Sequence, residues 1–579
     1  MIFSKLGTTL AAAAILIIPE VLALSVINYN VVVPPSAATH LVGVAINDDI
    51  YPLTQNPSTP LLFSGWAPGE KSYQYVIVDS MTARSVLDYE KFKRPAILTQ
   101  NSTYNEVFGR PWNQLSLPPL PKVYDYPYPI KSSKLYEDGQ IATIHFQADP
   151  QELDRMHNAT QEEIFVIGKM SYIGYDNVQH FSEVKIKVGG HSTRSWAKVP
   201  YKLKIDKESS PDGLYGRYHL KLRSEATDPT IIREKLYADM LESTGVVTSQ
   251  GAYVRLFLND KPVGIFLIVD DVTSKQFIRQ SFYGGEKVDV GPLIKGDAGK
   301  GEYAADLFYR GTNISAYDTN TYEVRVDGDP EGTAMNKLVD FMSFISTYQA
   351  TNTENDMAAW STWMDVDTYM RSMVIEWLTG NWDGHVYSGN NYAIYHKTDA
   401  NQYVYVPMDF DYTFGNGLEQ DQMVLATAKS DKFTANRATH SYLYEKLMTM
   451  PAFKAKYDGI LNDIVTKMFT SQVIDPRLRG LAYMLQHEVV WDQGLKRQSV
   501  GKSRPWKAEE YLSSFDVGGK DVDLLYGVRQ WVALKERAAK LQLGLIQPPP
   551  ATSEDNGGGD AETDALHGAV VKSTVLSPF

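Results

Sequence analysis

The sequence has no cysteine at any of its 579 positions. Disulfides, thiol nucleophiles and thiolate metal sites are therefore excluded, and the fold must hold by burial and polar pairing. Positive charge is scarce as well: 56 Lys and Arg stand against 69 Asp and Glu, a net charge of −13. That balance disfavours a nucleic-acid partner, which wants a basic face, and an acidic surface repels anionic lipid headgroups. Beyond the first residues there is no long apolar run, so no transmembrane segment is expected in the mature chain. A glycine-rich phosphate loop of the usual spacing, a His-Arg-Asp loop, Asp-Phe-Gly, a Walker loop, His-Glu-x-x-His and a nucleophile elbow are all missing. What remains is ordinary globular composition, 43% hydrophobic and 22% charged. The length allows roughly two to four domains.

Residues 1–23 read as a secretory leader: Lys5, an apolar run from Leu6 to Ile18, and a small-residue exit at Val21-Leu22-Ala23. Pro19 and Glu20 stop the run short of a bilayer span. Three sequons, at Asn101, Asn158 and Asn313, fit passage through a secretory pathway. From 24 to 112 short apolar runs alternate with Pro, Gly and Asn, which predicts an all-β, sandwich-like module. Residues 113–139 hold Pro118-Pro119-Leu120-Pro121 and Tyr124-Asp125-Tyr126-Pro127, and read as a stiff connector. A mixed α+β domain is expected over 140–545, and a disordered tail over 546–579.

Within the large domain, Val184, Ile186 and Val188 alternate with Lys185 and Lys187, and Tyr201, Leu203 and Ile205 alternate with Lys202 and Lys204. This two-residue period predicts half-buried strands with one basic face. The face, with Arg194 in the preceding glycine-rich turn, can grip nucleotide phosphates or can simply be a solvated strand face. Arg233-Glu234-Lys235 opens a helix from which a bridge to those lysines is expected. A hairpin is expected across Asn259-Asp260-Lys261. Val366, Tyr369, Met370, Met373, Val374 and Trp377 recur at helical spacing between a capping Asp365 and a terminating Gly380.

That helix delivers the chain to Asn381-Trp382-Asp383-Gly384-His385. A carboxylate just past a helix end can orient a substrate hydroxyl and accept its proton, or can make local backbone hydrogen bonds. Asn390 and Asn391 precede an apolar strand, as metal ligands or as turn formers. Asp409-Phe410-Asp411 follows another apolar strand, and alternation would put both carboxylates on one face. Two such groups repel unless a cation lies between them. A solvated turn is the plainer alternative. A manganese-binding Asp-x-Asp of a nucleotide-sugar glycosyltransferase is a third, although the pair arrives late, after antiparallel hairpins and a helical block.

Taken in order, these segments resemble the CotH kinase family. The matching pieces include Gly189-Gly190-His191-Ser192-Thr193-Arg194, Pro200-Tyr201-Lys202-Leu203-Lys204, Asp228-Pro229, Leu293-Ile294-Lys295-Gly296, Asn381-Trp382-Asp383, Asn390-Asn391-Tyr392 and Asp409-Phe410-Asp411. The resemblance implies an atypical protein-kinase-like bilobal fold. It implies ATP with Mg2+ or Mn2+, and phosphate transfer to Ser or Thr of a protein substrate. Asp383 would be the catalytic aspartate. Asp409 would hold the metal, with Asn391, Asn390 and Asp411 as the further candidates. Lys204 would be the phosphate lysine, and Arg194, Lys202, Arg233 and Glu234 complete the nucleotide-binding candidates. Fungal members of the family also resemble adhesins that engage a host-cell receptor, so a secreted or cell-surface place, on spore or cell wall, is expected.

Overall fold

The computed structural model describes residues 26–548, except 35–39, 70–71, 81–84, 98, 329–331, 435–436, 438, 505 and 519–525. The expected leader lies outside the described residues, as does nearly all of the expected tail. The chain divides into two compact units between Asn113 and Gln114.

In the first unit, Val26–Val32 pairs antiparallel with Thr59–Pro68 and parallel with Ser102–Val107. A second sheet is built from Asp49–Pro52, His40–Ile46, Ser72–Asp79 and Val86–Tyr89. Ile27, Tyr29 and Val31 from one sheet and Val42, Val44, Tyr73 and Tyr75 from the other share one core. In place of a disulfide the unit has a buried ionic cluster. Arg94 pairs with Glu90 at 2.7 Å and Glu106 at 3.2 Å, and Tyr75 donates to Glu106 at 2.8 Å. Burial pushes the Glu106 carboxyl up, while Arg94 and the tyrosine hydroxyls restrain it.

The second unit begins with the segment expected to be a stiff connector. Its prolines do keep it out of sheets, but its tyrosines fasten it down as a strap. Val123 N donates to Ser243 O at 2.7 Å. Tyr124 donates to Asp463 and Tyr128 to Asp365, both at 2.6 Å.

Seven strands then close into a barrel: Ile141–Gln147, Val166–Ile173, Val178–Val188, Tyr201–Ile205, His219–Arg223, Lys261–Asp270 and Gly251–Leu258, the last returning parallel to the first. Ile144, Val184, Ile186, Leu203, Leu222, Val254 and Ile268 fill it. Alternation puts Lys185, Lys187, Lys202 and Lys204 outside, as the two-residue period predicts. The expected hairpin turns at Asn259-Asp260, with Leu258 paired to Lys261.

Beyond the barrel lies a four-stranded antiparallel sheet, ordered Tyr322–Val326, Leu293–Gly296, Tyr392–Lys397 and Gln402–Pro407, followed by a helical block. The predicted helix spans Val366–Thr379, capped by Asp365 accepting from Thr368 N at 3.1 Å. It stops at Gly380, whose φ of 60° suits glycine, and a Cβ there would lie 2.2 Å from the Trp531 ring. The architecture is thus mixed helix and sheet, with a closed barrel and several sheets.

Arg233 does not face a ligand. It is fully buried and pairs with Asp228, donating also to Thr413 O at 3.1 Å and Tyr526 O at 3.2 Å. It ties the Arg233–Ser243 helix to the loop that carries Asp411. Its assignment to nucleotide binding is therefore corrected: the helix turns it toward Asp228 and the Thr413 loop, about 100° around the axis from Glu234. Removing one partner strands the other charge in the core. Arg233→Met is expected to lower stability by about 3–5 kcal/mol in urea denaturation, and an unchanged midpoint would refute this structural role.

Candidate functional site

A cleft of about 620 Å³ opens along the outer face of the barrel. Asp383, Asn390, Asn391, Asp409, Asp411 and Glu234 line one side of it, and Lys187, Lys202, Lys221 and Arg223 come from the barrel strands.

Asp383 stands in the turn just past Gly380. Its Oδ1 accepts from Asn390 Nδ2 at 3.0 Å and its Oδ2 from Asn391 Nδ2 at 2.9 Å. Asn390 Oδ1 in turn accepts from Ala298 N at 2.9 Å. The carboxylate is held from both sides, which fixes its orientation. Burial pushes its pKa up to about 6; the amides oppose this, and the nearby charges of Asp409 and Asp297 add to it.

The acidic cluster has a different construction. The strand Gln402–Pro407 ends before Asp409, which takes a left-handed backbone with φ of 65°. Asp409 and Asp411 converge because of that residue, not because of strand alternation. Between them Phe410 stacks on Tyr237 at 4.1 Å, and its amide donates to Glu234 Oε2 at 2.6 Å. Oxygens of Glu234, Asp409 and Asp411 all lie within 4.8 Å of one another. Arg223 reaches in from the barrel: it pairs with Asp409 and stands 3.4 Å from Glu234 and 3.5 Å from Asp411. Burial, and then the Asp409 charge, raise Asp411 to about 8. Burial also acts on Asp409, but Arg223 outweighs it and holds that carboxyl below the ordinary range. Thr227 donates to Asp411 at 2.7 Å.

On the barrel wall, Lys221 pairs with Asp271 at 3.2 Å. Lys202 is lowered to about 8 by burial and by the charge of Lys221. Lys295 pairs with Asp297 at 2.6 Å farther along.

Several expectations need correction. Lys204 does not line the cleft: it is two residues farther out along its strand than Lys202 and is exposed. Arg194 lines the cleft, but its donors are spent on Glu163 and on the carbonyls of Val188, Gly190 and Gln161, so it pins the glycine-rich turn. Gly190 in that turn has φ of 74°, and a Cβ there would meet Thr193 Oγ1 at 2.0 Å. Asn390 has both ends of its amide engaged, which makes it a clamp on Asp383 rather than an oxygen ligand. Glu234 bridges to Arg223 and Phe410 N rather than to the lysines, and Lys235 pairs with Asp239. Arg223 and Lys221 were overlooked. Their strand, His219-Leu220-Lys221-Leu222-Arg223, carries the same two-residue alternation as its neighbours, and that pattern could have found them.

A family model described as CotH kinase protein matches residues 186–515, a span that contains most of this constellation. Among curated relatives, "Invasin CotH2" of Rhizopus delemar is 28% identical, covering 82% of this chain and 82% of its own length. "Invasin CotH3" of the same fungus is 27% identical over 92% of this chain and 87% of its own. "Inner spore coat protein H" of Bacillus subtilis is 20% identical over 54% of this chain and 78% of its own. With the family model spanning more than half of the sequence, the chain belongs to the CotH kinase protein family.

Proposed function

We propose that this chain is an atypical, kinase-like phosphotransferase of two lobes, acting at the surface of a fungal cell or spore. It moves the γ-phosphate of ATP to a Ser or Thr hydroxyl of a protein. The observation that carries this reading is the clamped Asp383 in one cleft with three crowded carboxylates and a lysine wall.

The donor set fits a hard divalent cation: Glu234, Asp409 and Asp411 offer carboxylate oxygens, and their mutual repulsion is what a cation relieves. A bound Mg2+ or Mn2+ supplies neutralisation of the charge on the transferring phosphoryl oxygens. The chain's own residues do the rest. Lys202 and Lys221 draw the anionic phosphates to the barrel wall. Asn390 and Asn391 aim the Asp383 carboxylate at the acceptor hydroxyl. As the acceptor oxygen bonds to phosphorus and the bond to ADP breaks, the hydroxyl proton passes to Asp383.

A second reading is favoured by the relatives named as invasins. The match to one of them covers 92% of this chain and therefore runs into the first unit as well. On this reading the chain is an adhesin that binds a host-cell receptor, with or without turnover.

Asp383→Asn and Asp409→Ala are each expected to cut autophosphorylation with labelled ATP by about 10²-fold or more, and chelation of divalent cations should do the same to the wild type. Equal labelling of all three proteins would sink the proposal. Because Asp383 must be ionised to take a proton and its pKa is raised to about 6, kcat/KM should fall as the pH drops below that point. Asn390→Ala removes an amide that favours the carboxylate, so the acidic limb should move upward in pH; a limb that stays in place would disconnect Asp383 from the rate. For the adhesive reading, Asp383→Asn protein should bind host cells as saturably as wild type, and flow cytometry without specific binding by either would dismiss it.

A further inference from the structure

Lys204, excluded from the cleft, belongs to a feature that the phosphate site does not explain. Strand register pairs Lys187 with Lys202 and Lys202 with Lys221, one unbroken row across three strands. Two residues farther out, Lys185 pairs with Lys204 and Lys204 with His219, a second row on the same face. Like charges directly opposite one another destabilise a sheet. The first row is partly relieved by Glu163 beside Lys187 and by Asp271 beside Lys221. In the second row no ion pair holds Lys185 or Lys204 among the described residues, although the charge of Lys185 reaches Asp206 beyond it, and His219 is lowered by burial and then by Lys204. The molecule carries a net charge of −13, so this cationic strip runs against its overall sign.

The strip has edges. Glu183 and Asp206 occupy the next row outward and end it. On its flank two large apolar side chains face solvent: Phe165 is 53% exposed and Ile167 is 57% exposed. Ile167 is the register partner of Lys185, and Lys187 lies over the Phe165 ring at 4.7 Å. With strands about 4.8 Å apart and alternate residues about 7 Å apart, the two rows span the length of roughly three or four extended residues.

We infer that the outer barrel face of Lys185, Lys204 and His219, with Phe165 and Ile167 beside it, docks an acidic polypeptide segment carrying an apolar residue. The inner row continues into the cleft, so a segment docked here leads toward Asp383; that part rests on the phosphotransferase reading above. The apolar flank is what selects a polypeptide over a sulfated glycan, which has charge but no apolar side chain to place there.

The test uses the full chain and a fluorescent peptide of alternating Glu and Leu with one Ser, read by anisotropy at increasing salt. Lys204→Glu removes the central charge of the outer row and touches no group assigned to phosphate transfer. Its binding should weaken about tenfold and lose part of its salt dependence. Its melting temperature should hold or rise, since a like-charge contact is relieved. Phe165→Ser should weaken binding without changing the salt dependence. With ATP present, Lys204→Glu should raise KM for the peptide and leave kcat unchanged. Equal affinity of wild type and Lys204→Glu overturns the docking surface, and so does a heparin oligosaccharide that binds while the peptide does not. Charge-dependent binding with no phosphate transfer by the wild type would instead overturn the phosphotransferase reading alone.

Discussion

Three carboxylates, Glu234, Asp409 and Asp411, are drawn to within 4.8 Å of one another at the edge of a folded core. Such crowding is unfavourable unless a cation compensates. Arg223 places a positive charge among them, reaching from the last position of a barrel strand into the loop after Gln402–Pro407. This one guanidinium joins the barrel to the helical part of the second unit at the place where chemistry is expected. The cleft depends on that contact, because the lysine wall belongs to the barrel and Asp383 belongs to the far side.

Buried ionic and hydrogen-bonded groups do similar work elsewhere, in a chain without cysteine. Arg94 holds Glu90 and Glu106 inside the first unit. Asp228 and Arg233 tie a helix to the loop that carries Asp411. Asp492, near the end of the Ser471–Gln493 helix, meets Lys198, Arg497 and Arg504 at 2.9–3.2 Å and accepts from Ile265 N, which fixes that helix to the barrel. Each pair is costly to break because the surviving partner would be left charged in the core. Together they fix element positions to the accuracy a clamped Asp383 requires.

The basic residues divide by location. Arg194 and Arg233 are absorbed into the architecture, both bonded to backbone carbonyls, Arg194 also to the exposed Glu163 and Arg233 to the buried Asp228. Lys202 and Lys221 face the cleft. Lys204 faces outward two residues farther along the strand of Lys202, and Lys185 two residues from Lys187 on the neighbouring strand. One sheet face therefore presents a continuous positive strip that begins inside the cleft and ends on open surface.

The sequence by itself determined the local pieces. Period-two alternation marked the strands at Val184–Val188 and Tyr201–Ile205, and Asp365 and Gly380 bounded the helix that delivers Asp383, because these patterns depend only on neighbouring residues. It also gathered most of the acidic and amide residues of the cleft, since they lie in short segments rich in Asp and Asn. Only the tertiary structure decided which candidates face the cleft. Arg233 turned inward, Lys204 fell beyond the rim, and Asn390 gave its oxygen to Ala298. The convergence of Asp409 and Asp411 came from a left-handed backbone that no alternation rule contains. Closure of seven strands into a barrel, and the arrival of Arg223 opposite Asp409, depend on contacts between residues far apart in the chain, and periodicity along a sequence carries no information about those.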